Sequence, residues 1–283
     1  MPNGRALILL LLIVLGPAWA EELLFEKKGP FGTVLVTQEG SLRALKFKRP
    51  EGDIEQSRLD LRRPEYLSYE YTRKQLLGLV FVPRPRKVLV VGLGGASLTR
   101  ALAHLLPETQ IDSIEIDPVV VEAARKFFLY QEGPRLRTFV DDARHHLENS
   151  TERYDLILLD AFDGLDVPDH LRTVEFYQLL GSRLQPDGAV VANLHLRSPL
   201  YASDRNTMAQ AFPQTYGFES AAQRVVVGYN SQQPLRREEL LRRAGEIATA
   251  YPLLDYCRGL EEAPDWDRAA PVLTDHSEAG KSH

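Results

Sequence analysis

The sequence predicts an α/β protein with a Rossmann-like sheet that carries helices on both faces, preceded by a small N-terminal antiparallel β domain. Apolar strands alternate with helices from Lys87 to about residue 196, a rhythm typical of a parallel sheet. A glycine-rich turn joins the first of these strands to its helix. Short strands of alternating polarity occupy residues 22–48, which indicates the smaller sheet.

Residues 1–20 have the layout of a secretory signal peptide, so we expect cleavage after Ala20. Arg5 precedes an apolar run, and the segment ends in the small-x-small pattern AWA. The apolar run is too short to span a bilayer comfortably. We therefore expect an exported protein, periplasmic or secreted; the alternative is an uncleaved N-terminal segment that anchors the protein to a membrane.

Residues 21–63 are predicted to form the N-terminal β domain. The segments GTVLVTQ and LRALKFK alternate apolar and polar residues, with QEGS as the turn between them and KKGP as an earlier turn. Residues 64–82 follow with apolar residues at helical spacing, and Pro64 suits a helix start. We therefore expect one helix to lead into the larger sheet.

Residues 64–230 are predicted to form the larger α/β domain, which carries the candidate nucleoside-binding and catalytic residues described below. Its strands are KVLVVG, IDSIEID, RLRTFV, YDLILLD and GAVVANLHL, and the helix TVEFYQLLGSRL has Thr173 as its N-cap. MAQAF, QTYGFES and AQRVVVGYN are expected to add a helix and an edge pair of strands. Residues 231–283 contribute one amphipathic helix and a tail, loosely ordered after Glu261.

The composition narrows the classes of partner. The 283 residues carry a formal charge of -5, which argues against a nucleic-acid binder because such proteins usually present a basic face. Cys257 is the only cysteine, so an intramolecular disulfide cannot form. A small cationic partner fits a mildly acidic protein better, although the same charge also suits plain solubility.

The segment VVGLGGASLTR is a candidate nucleotide-binding turn. Gly92, Gly94 and Gly95 lie between a strand and its helix, where the backbone can approach a ligand and the helix offers free N–H groups. Ser97 stands where a dinucleotide fingerprint has its third glycine, which favours an S-adenosyl nucleoside over a dinucleotide. The alternative is a tight turn without a ligand.

Two acidic residues at strand ends are candidates for nucleoside contacts. Glu115 ends the second strand of the larger sheet, where a carboxylate can accept both hydroxyls of a ribose. Asp142 follows the third strand, where a carboxylate can accept a hydrogen bond from the adenine amino group. Asp142 can also be the N-cap of the next helix, and the two roles are compatible.

A cluster of acids follows the fourth strand of this sheet. Asp160, Asp163, Asp166 and Asp169 repel one another unless a cation is present. We predict no metal site, because no His cluster matches them and His145, His146 and His170 are interpreted as surface residues. A polyamine flanked by Tyr66, Tyr69, Tyr71 and Phe162 is the other candidate cation. A solvated acidic loop is the alternative for Asp166 and Asp169.

Taken together, these motifs resemble the polyamine aminopropyltransferase family, which includes spermidine synthases. The resemblance runs from about Leu24 to Tyr229 and covers GLGGAS, EID, DDAR, DAFD and LQPDGAVVAN in that order and spacing. It implies a sheet of the class I methyltransferase type. It also implies aminopropyl transfer from decarboxylated S-adenosylmethionine to an amine acceptor such as putrescine, without a prosthetic group, in a homo-oligomer.

The resemblance also implies roles for individual residues. Gln56 and Glu115 would hold the ribose side of the donor, and Asp142 would hold its adenine. Asp160 would be the catalytic acid–base residue, because an amine must lose a proton before it attacks the carbon beside a sulfonium. Asp163 would bind the amine acceptor.

Tyr69 would line the same cavity as the acceptor, again as the resemblance implies. Two departures from the family pattern bear on the donor and the acceptor. The family's glycine loop has an aspartate that grips the amine of the donor, and Gly95 stands in its place. The family's D-S-S-D reads D-A-F-D here, so both acids remain without the serines.

Two other function classes stay open from the sequence. A methyltransferase that uses S-adenosylmethionine itself is favoured by Gly95, because the tail of the donor would be held differently. A non-catalytic exported binder of polyamines or nucleosides is favoured by the signal peptide, because S-adenosyl donors are made in the cytosol. Fold alone does not separate these functions.

Overall fold

The computed structural model describes residues 20–162, 167–220, 223–261 and 266–277. Residues 1–19 of the predicted signal peptide lie outside these ranges, as do Asp163 and Asp166. Within the described ranges, no helix has the length and apolar character needed to cross a membrane.

The N-terminal sheet has four antiparallel strands in sequence order: β1 (Glu22–Gly29), β2 (Gly32–Glu39), β3 (Leu42–Lys48) and β4 (Ile54–Asp60). The predicted strands and the turn between them are confirmed. The KKGP turn was predicted too early in the chain: β1 continues to Gly29, which pairs with Gly32, and the turn is formed by Pro30 and Phe31. The prediction missed β4, whose charged residues give it little apolar alternation.

The larger sheet has seven strands in the order β10-β11-β9-β8-β5-β6-β7. They are β5 (Lys87–Val91), β6 (Gln110–Glu115), β7 (Leu136–Val140), β8 (Tyr154–Leu159), β9 (Leu184–His195), β10 (Gln214–Glu219) and β11 (Gln223–Tyr229). Strands β5 to β9 are parallel. Strands β10 and β11 form the predicted edge pair, and the structure shows that they are antiparallel. The α/β fold class is therefore confirmed.

Helices cover both faces of this sheet. They are α1 (Glu70–Gln75), α2 (Gly78–Phe81), α3 (Ser97–Leu105), α4 (Pro118–Phe127), α5 (Ala143–Glu148), α6 (Val174–Ser182), α7 (Tyr201–Ala211), α8 (Arg237–Glu246) and α9 (Leu253–Arg258). The strands of the sheet alternate side chains between two buried apolar clusters, one on each face. Thr173 is the N-cap of α6 as predicted, because its hydroxyl accepts from the Phe176 amide.

The prediction of a single helix over residues 64–82 was wrong. The structure has two short helices, α1 and α2, and residues 64–69 form turns. The phenol of Tyr251 donates to the Glu65 carbonyl and accepts from the Leu67 amide, so these groups cannot join a helical ladder. Between the helices, the Leu77 amide donates to the Lys74 carbonyl, a three-residue spacing that ends the first helix.

The prediction of a loosely ordered tail after Glu261 was wrong for residues 266–277. The guanidinium of Arg205 lies 3.7 Å above the Trp266 ring. Leu273 is buried, and the Asp275 carboxylate accepts from Arg144 and Thr173. These partners lie far away in the sequence, so the sequence alone did not show that the tail is held in place by the rest of the fold.

Candidate active site

The candidate site is a cavity of about 370 Å³ at the carboxyl edge of the parallel strands, where the N-terminal sheet faces the larger one. This is the edge at which open α/β sheets bind ligands. The predicted site residues that line it are Gln56, Tyr69, Gly92, Gly94, Glu115, Asp142 and Asp160. Gly95 is not part of the lining, and Asp163 lies outside the described residues.

The turn after β5 brings the backbone close to Asp160. Gly92 has a φ of +93°, a conformation that favours glycine. A Cβ atom at this position would lie 2.5 Å from the Asp160 carbonyl oxygen, closer than any carbon can sit. Gly92 is therefore required because two strand ends converge here.

Gly95 is enclosed by neighbouring side chains. Its amide donates to the Ser57 hydroxyl at 2.9 Å. A Cβ atom on Gly95 would lie 2.8 Å from the Phe128 ring and 2.9 Å from the Ser57 Cβ. The aspartate that the family resemblance implies at this position would therefore not fit unless Phe128 and Ser57 moved.

Glu115, at the end of β6, holds the glycine turn in place. One carboxylate oxygen accepts from the Leu93 amide at 3.0 Å and the Gly94 amide at 3.3 Å, and the other accepts from the Asp117 amide at 3.0 Å. Burial raises the pKa of Glu115, and these backbone hydrogen bonds oppose the rise. The carboxylate thus organises the turn and also lines the cavity, while its contact with a ribose stays a prediction.

Asp142 is the N-cap of α5, as one of its two proposed roles requires. One carboxylate oxygen accepts from the His145 amide at 2.9 Å, and the other lies 2.7 Å from His170 Nε2. Burial acts to raise the pKa of Asp142, but the hydrogen bonds from His145 and His170 outweigh it and lower the pKa. His170 is exposed, as the interpretation of it as a surface residue predicts. That interpretation missed its contact with Asp142 and its place in the lining of the cavity.

Asp160 directly follows β8. Its amide donates to the Val91 carbonyl at 2.8 Å, and its Oδ1 accepts from Gln75 Nε2 at 3.3 Å. Burial raises the pKa of Asp160 to about 7, and the hydrogen bond from Gln75 opposes the rise. A carboxyl group with this pKa can exchange a proton with a ligand near neutral pH, which is the property that general acid–base catalysis requires.

Aromatic side chains form the wall beside Asp160. The rings of Tyr69 and Tyr71 stack with centroids 5.8 Å apart, and both line the cavity with Phe162. The Tyr69 phenol donates to the Glu55 carboxylate. Burial raises the pKa of Tyr71, and the nearby charge of Asp160 raises it further, so this phenol stays neutral. Tyr66, in contrast, stacks on Tyr251 and is not among the lining residues.

The residues in or beside the site that sequence reasoning missed include Ser57, Gln75, Phe128 and His170. Each meets a predicted site residue through a tertiary contact, and none stands in a recognisable motif. Among the residues that the structure describes, no group of three or more His, Cys, Asp or Glu side chains is placed to hold a metal ion.

The chain is similar in sequence to proteins of one family. The family model described as "Spermine/spermidine synthase domain" matches residues 75–227. A polyamine aminopropyltransferase of Vibrio vulnificus is 32% identical over 268 residues, which are 89% of this chain and 88% of that protein.

Two solved structures are also similar. A probable spermidine synthase from Corynebacterium glutamicum has a TM-score of 0.69 at 20% identity, covering 90% of this chain and 97% of that one, and so supports the fold. Human methyltransferase-like protein 13 in complex with SAH has a TM-score of 0.58 at 25% identity, covering 71% of this chain and 97% of that one.

Proposed function

This chain belongs to the spermine/spermidine synthase family, and from that premise we propose that it is a polyamine aminopropyltransferase. It transfers an aminopropyl group from decarboxylated S-adenosylmethionine, its co-substrate, to a small cationic amine such as putrescine. The observation that carries this proposal is Asp160, a carboxyl group with a pKa of about 7 that faces the cavity at a strand end.

The reaction needs a proton acceptor at this point. An alkyl amine is protonated at neutral pH and has no free electron pair to attack with. Asp160 removes the proton, the nitrogen forms a bond to the carbon beside the sulfonium, and the carbon–sulfur bond breaks. Its electron pair stays on sulfur, which neutralises the sulfonium and releases methylthioadenosine. General base catalysis of this kind typically contributes about 10²–10⁴-fold.

The remaining residues bind and orient the two substrates. Gln56 and Glu115 hold the ribose side of the donor and Asp142 its adenine. Tyr69 lines the acceptor side, where its ring can attract an ammonium group. Asp163 binds the acceptor amine in this proposal, although it lies outside the described residues. Holding both substrates in line supplies a further part of the rate enhancement.

The test is a direct assay of product. Purified protein receives decarboxylated S-adenosylmethionine with putrescine or one of a panel of longer amines, and methylthioadenosine release is measured. Asp160→Asn should lower the rate about 10²–10⁴-fold while donor binding, followed by calorimetry, stays near the wild-type value. The absence of release with every amine would refute the function, and full activity of the variant would refute the role of Asp160.

A methyltransferase is the second candidate, and Gly95 is the observation that favours it. The place of the family's loop aspartate is closed by Phe128 and Ser57, so the amine of a decarboxylated donor lacks that partner. Methyltransferase-like protein 13 shares this architecture. Mass analysis of the acceptor after incubation with either donor distinguishes the two functions, because an aminopropyl group and a methyl group differ in mass.

We also propose that the protein is exported, with residues 1–20 removed as a signal peptide. A mature N-terminus at Glu21 in the periplasm or the medium would support export, and an intact chain in the membrane fraction would favour the anchored alternative. If the exported protein binds spermidine or methylthioadenosine in calorimetry but releases no product, a non-catalytic binder replaces the enzyme. A homo-oligomer remains our expectation, which light scattering tests.

A further inference from the structure

Gln75, the last residue of α1, lies directly behind Asp160. Its side chain is fully buried. Its Nε2 donates to the Leu159 carbonyl at 3.2 Å and to Asp160 Oδ1 at 3.3 Å. The residues that follow it, Leu76 and Leu77, are buried in the apolar cluster on this face of the sheet. A polar amide at this position therefore has two polar partners in an otherwise apolar environment.

The orientation of this amide is set by the Leu159 carbonyl. A backbone carbonyl accepts hydrogen bonds and never donates them, whatever the pH. The amide must therefore present its nitrogen to Leu159, and the same nitrogen faces Asp160. The opposite atom, Gln75 Oε1, is buried and has no hydrogen-bond partner within the described ranges. A flipped amide would set Oε1 against two acceptors at once, so it is disfavoured.

The two oxygens of Asp160 are consequently unequal. Oδ1 is occupied by a donor that cannot turn into an acceptor. No hydrogen bond from the described part of the chain reaches Oδ2, and Asp160 lines the cavity. A proton placed on Oδ1 would meet the N–H group of Gln75, whereas a proton placed on Oδ2 leaves Oδ1 as a good acceptor.

We propose that Gln75 is a positioning residue that reserves Oδ1 of Asp160 as a permanent acceptor, so that Oδ2 takes the proton from the substrate amine. This inference rests on the proposed function in one respect, the identity of the proton donor. Tyr71 is the one other ionisable group found to interact with Asp160 among the described residues, and its phenol stays neutral. Gln75 thus both directs the proton and favours the ionised carboxylate.

The first test measures the titration of Asp160 directly. Carbon-13 carboxyl resonances are followed against pH in the wild type, in Gln75→Met and in Gln75→Leu, with the Asp160 signal assigned from Asp160→Asn. Removing the donor should move the Asp160 titration upward by about one pH unit, since a hydrogen bond to a charged group stabilises the ionised form. An unchanged titration in a folded variant would overturn the proposal.

A matched control uses the same kind of bond elsewhere. Gln110 Nε2 donates to Asp112 Oδ1 at 3.2 Å, at the amino-terminal end of the parallel strands, opposite the end that carries the cavity. Gln110→Leu removes an amide–carboxylate hydrogen bond without touching the cavity. It should leave the Asp160 titration where it is, and a shift as large as that of Gln75→Met would mean that the effect is not specific.

A second measurement uses the wild-type protein, so it tests which oxygen of Asp160 takes the proton even if the Gln75 variants do not fold. The Gln75 Nε2 proton resonances should shift with the midpoint of the Asp160 titration. Both protons should stay protected from exchange above and below that midpoint, because Oδ1 remains an acceptor when Oδ2 is protonated. Loss of protection below the midpoint would place the proton on Oδ1 and overturn the proposal.

The kinetic readout separates this inference from the proposed function. If the wild type releases methylthioadenosine, the acid limb of its kcat/KM profile should move upward in Gln75→Met by the same amount as the carboxyl titration. A merely structural role would lower the rate at every pH without moving the limb. If the wild type releases no product, the proposed function fails, while the two resonance measurements still test the roles of Oδ1 and Oδ2.

Discussion

Replacing Asp160 with asparagine should stabilise the protein at alkaline pH while it removes activity. Burial raises the pKa of this carboxyl group from 3.8 to about 7. Each unit corresponds to about 1.4 kcal/mol, so the ionised carboxylate destabilises the folded state by up to about 4 kcal/mol. The cavity admits water, which screens part of this cost, and we expect a measured effect of about 2–4 kcal/mol.

The sign of the pH dependence follows from proton binding. Between about pH 4 and pH 7 the folded protein holds a proton on Asp160 that the unfolded chain has lost. The stabilising contribution of the protonated group is therefore complete below about pH 4 and is lost as the pH rises through 7. Asparagine does not titrate, and its carbonyl can still accept from Gln75. Asp160→Asn should equal the wild type near pH 4 and exceed it above pH 8.

The assay is denaturant unfolding of the wild type and the variant at several pH values, followed by circular dichroism. Asp142→Asn provides a control of opposite sign, because hydrogen bonds from His145 and His170 lower the pKa of Asp142. That variant should lose stability near neutral pH and approach the wild type as the pH falls. If Asp160→Asn is no more stable than the wild type at pH 8–9, or if its advantage does not depend on pH, the buried-carboxylate reasoning is wrong.

Three further substitutions test the local geometry by denaturant unfolding. Gly92→Ala should destabilise the protein by about 2 kcal/mol or more, because its Cβ would lie 2.5 Å from the Asp160 carbonyl oxygen. Gly133→Ala is the control: its Cβ would meet nothing within 4 Å, so stability should change by less than about 0.5 kcal/mol. Gly95→Asp should destabilise by about 1–3 kcal/mol instead of restoring a donor contact, because its surroundings are filled; a stable variant with tighter donor binding would contradict this. Thr173→Ala should cost about 1–2 kcal/mol through loss of the N-cap, and an unchanged midpoint would rule out that role.

The sequence predicted the architecture well where the signals are local. Continuous apolar strands followed by amphipathic helices specify βαβ units, because each element must bury its apolar face against its neighbours. The N-cap at Thr173 and the tight turn at Gly92 were likewise readable from a few adjacent residues. Residues 64–82 were misread as one helix because their apolar spacing is helical, whereas the Tyr251 phenol, a partner far along the chain, binds the first part as turns.

The candidate site could likewise be predicted from the sequence only where the signals are local. The end of β8 can be located from sequence, and with it Asp160, because an apolar run before an acidic residue marks a strand that reaches the edge of the sheet. The burial of Asp160 and its contact with Gln75, which is 85 positions distant, cannot be located in this way. The same holds for Asp142 and His170, which are 28 positions apart.

The sequence by itself determined which groups stand at the carboxyl edge of the sheet: a glycine turn, two acids at strand ends and Asp160. Local hydrophobic patterns suffice for this, because they decide where each strand stops. Only the tertiary structure decided how those groups behave. Packing brings Phe128 and Ser57 against Gly95, which closes the space beside that glycine. Packing also buries Asp160, which raises its affinity for a proton, and brings Gln75 against it, which lowers that affinity.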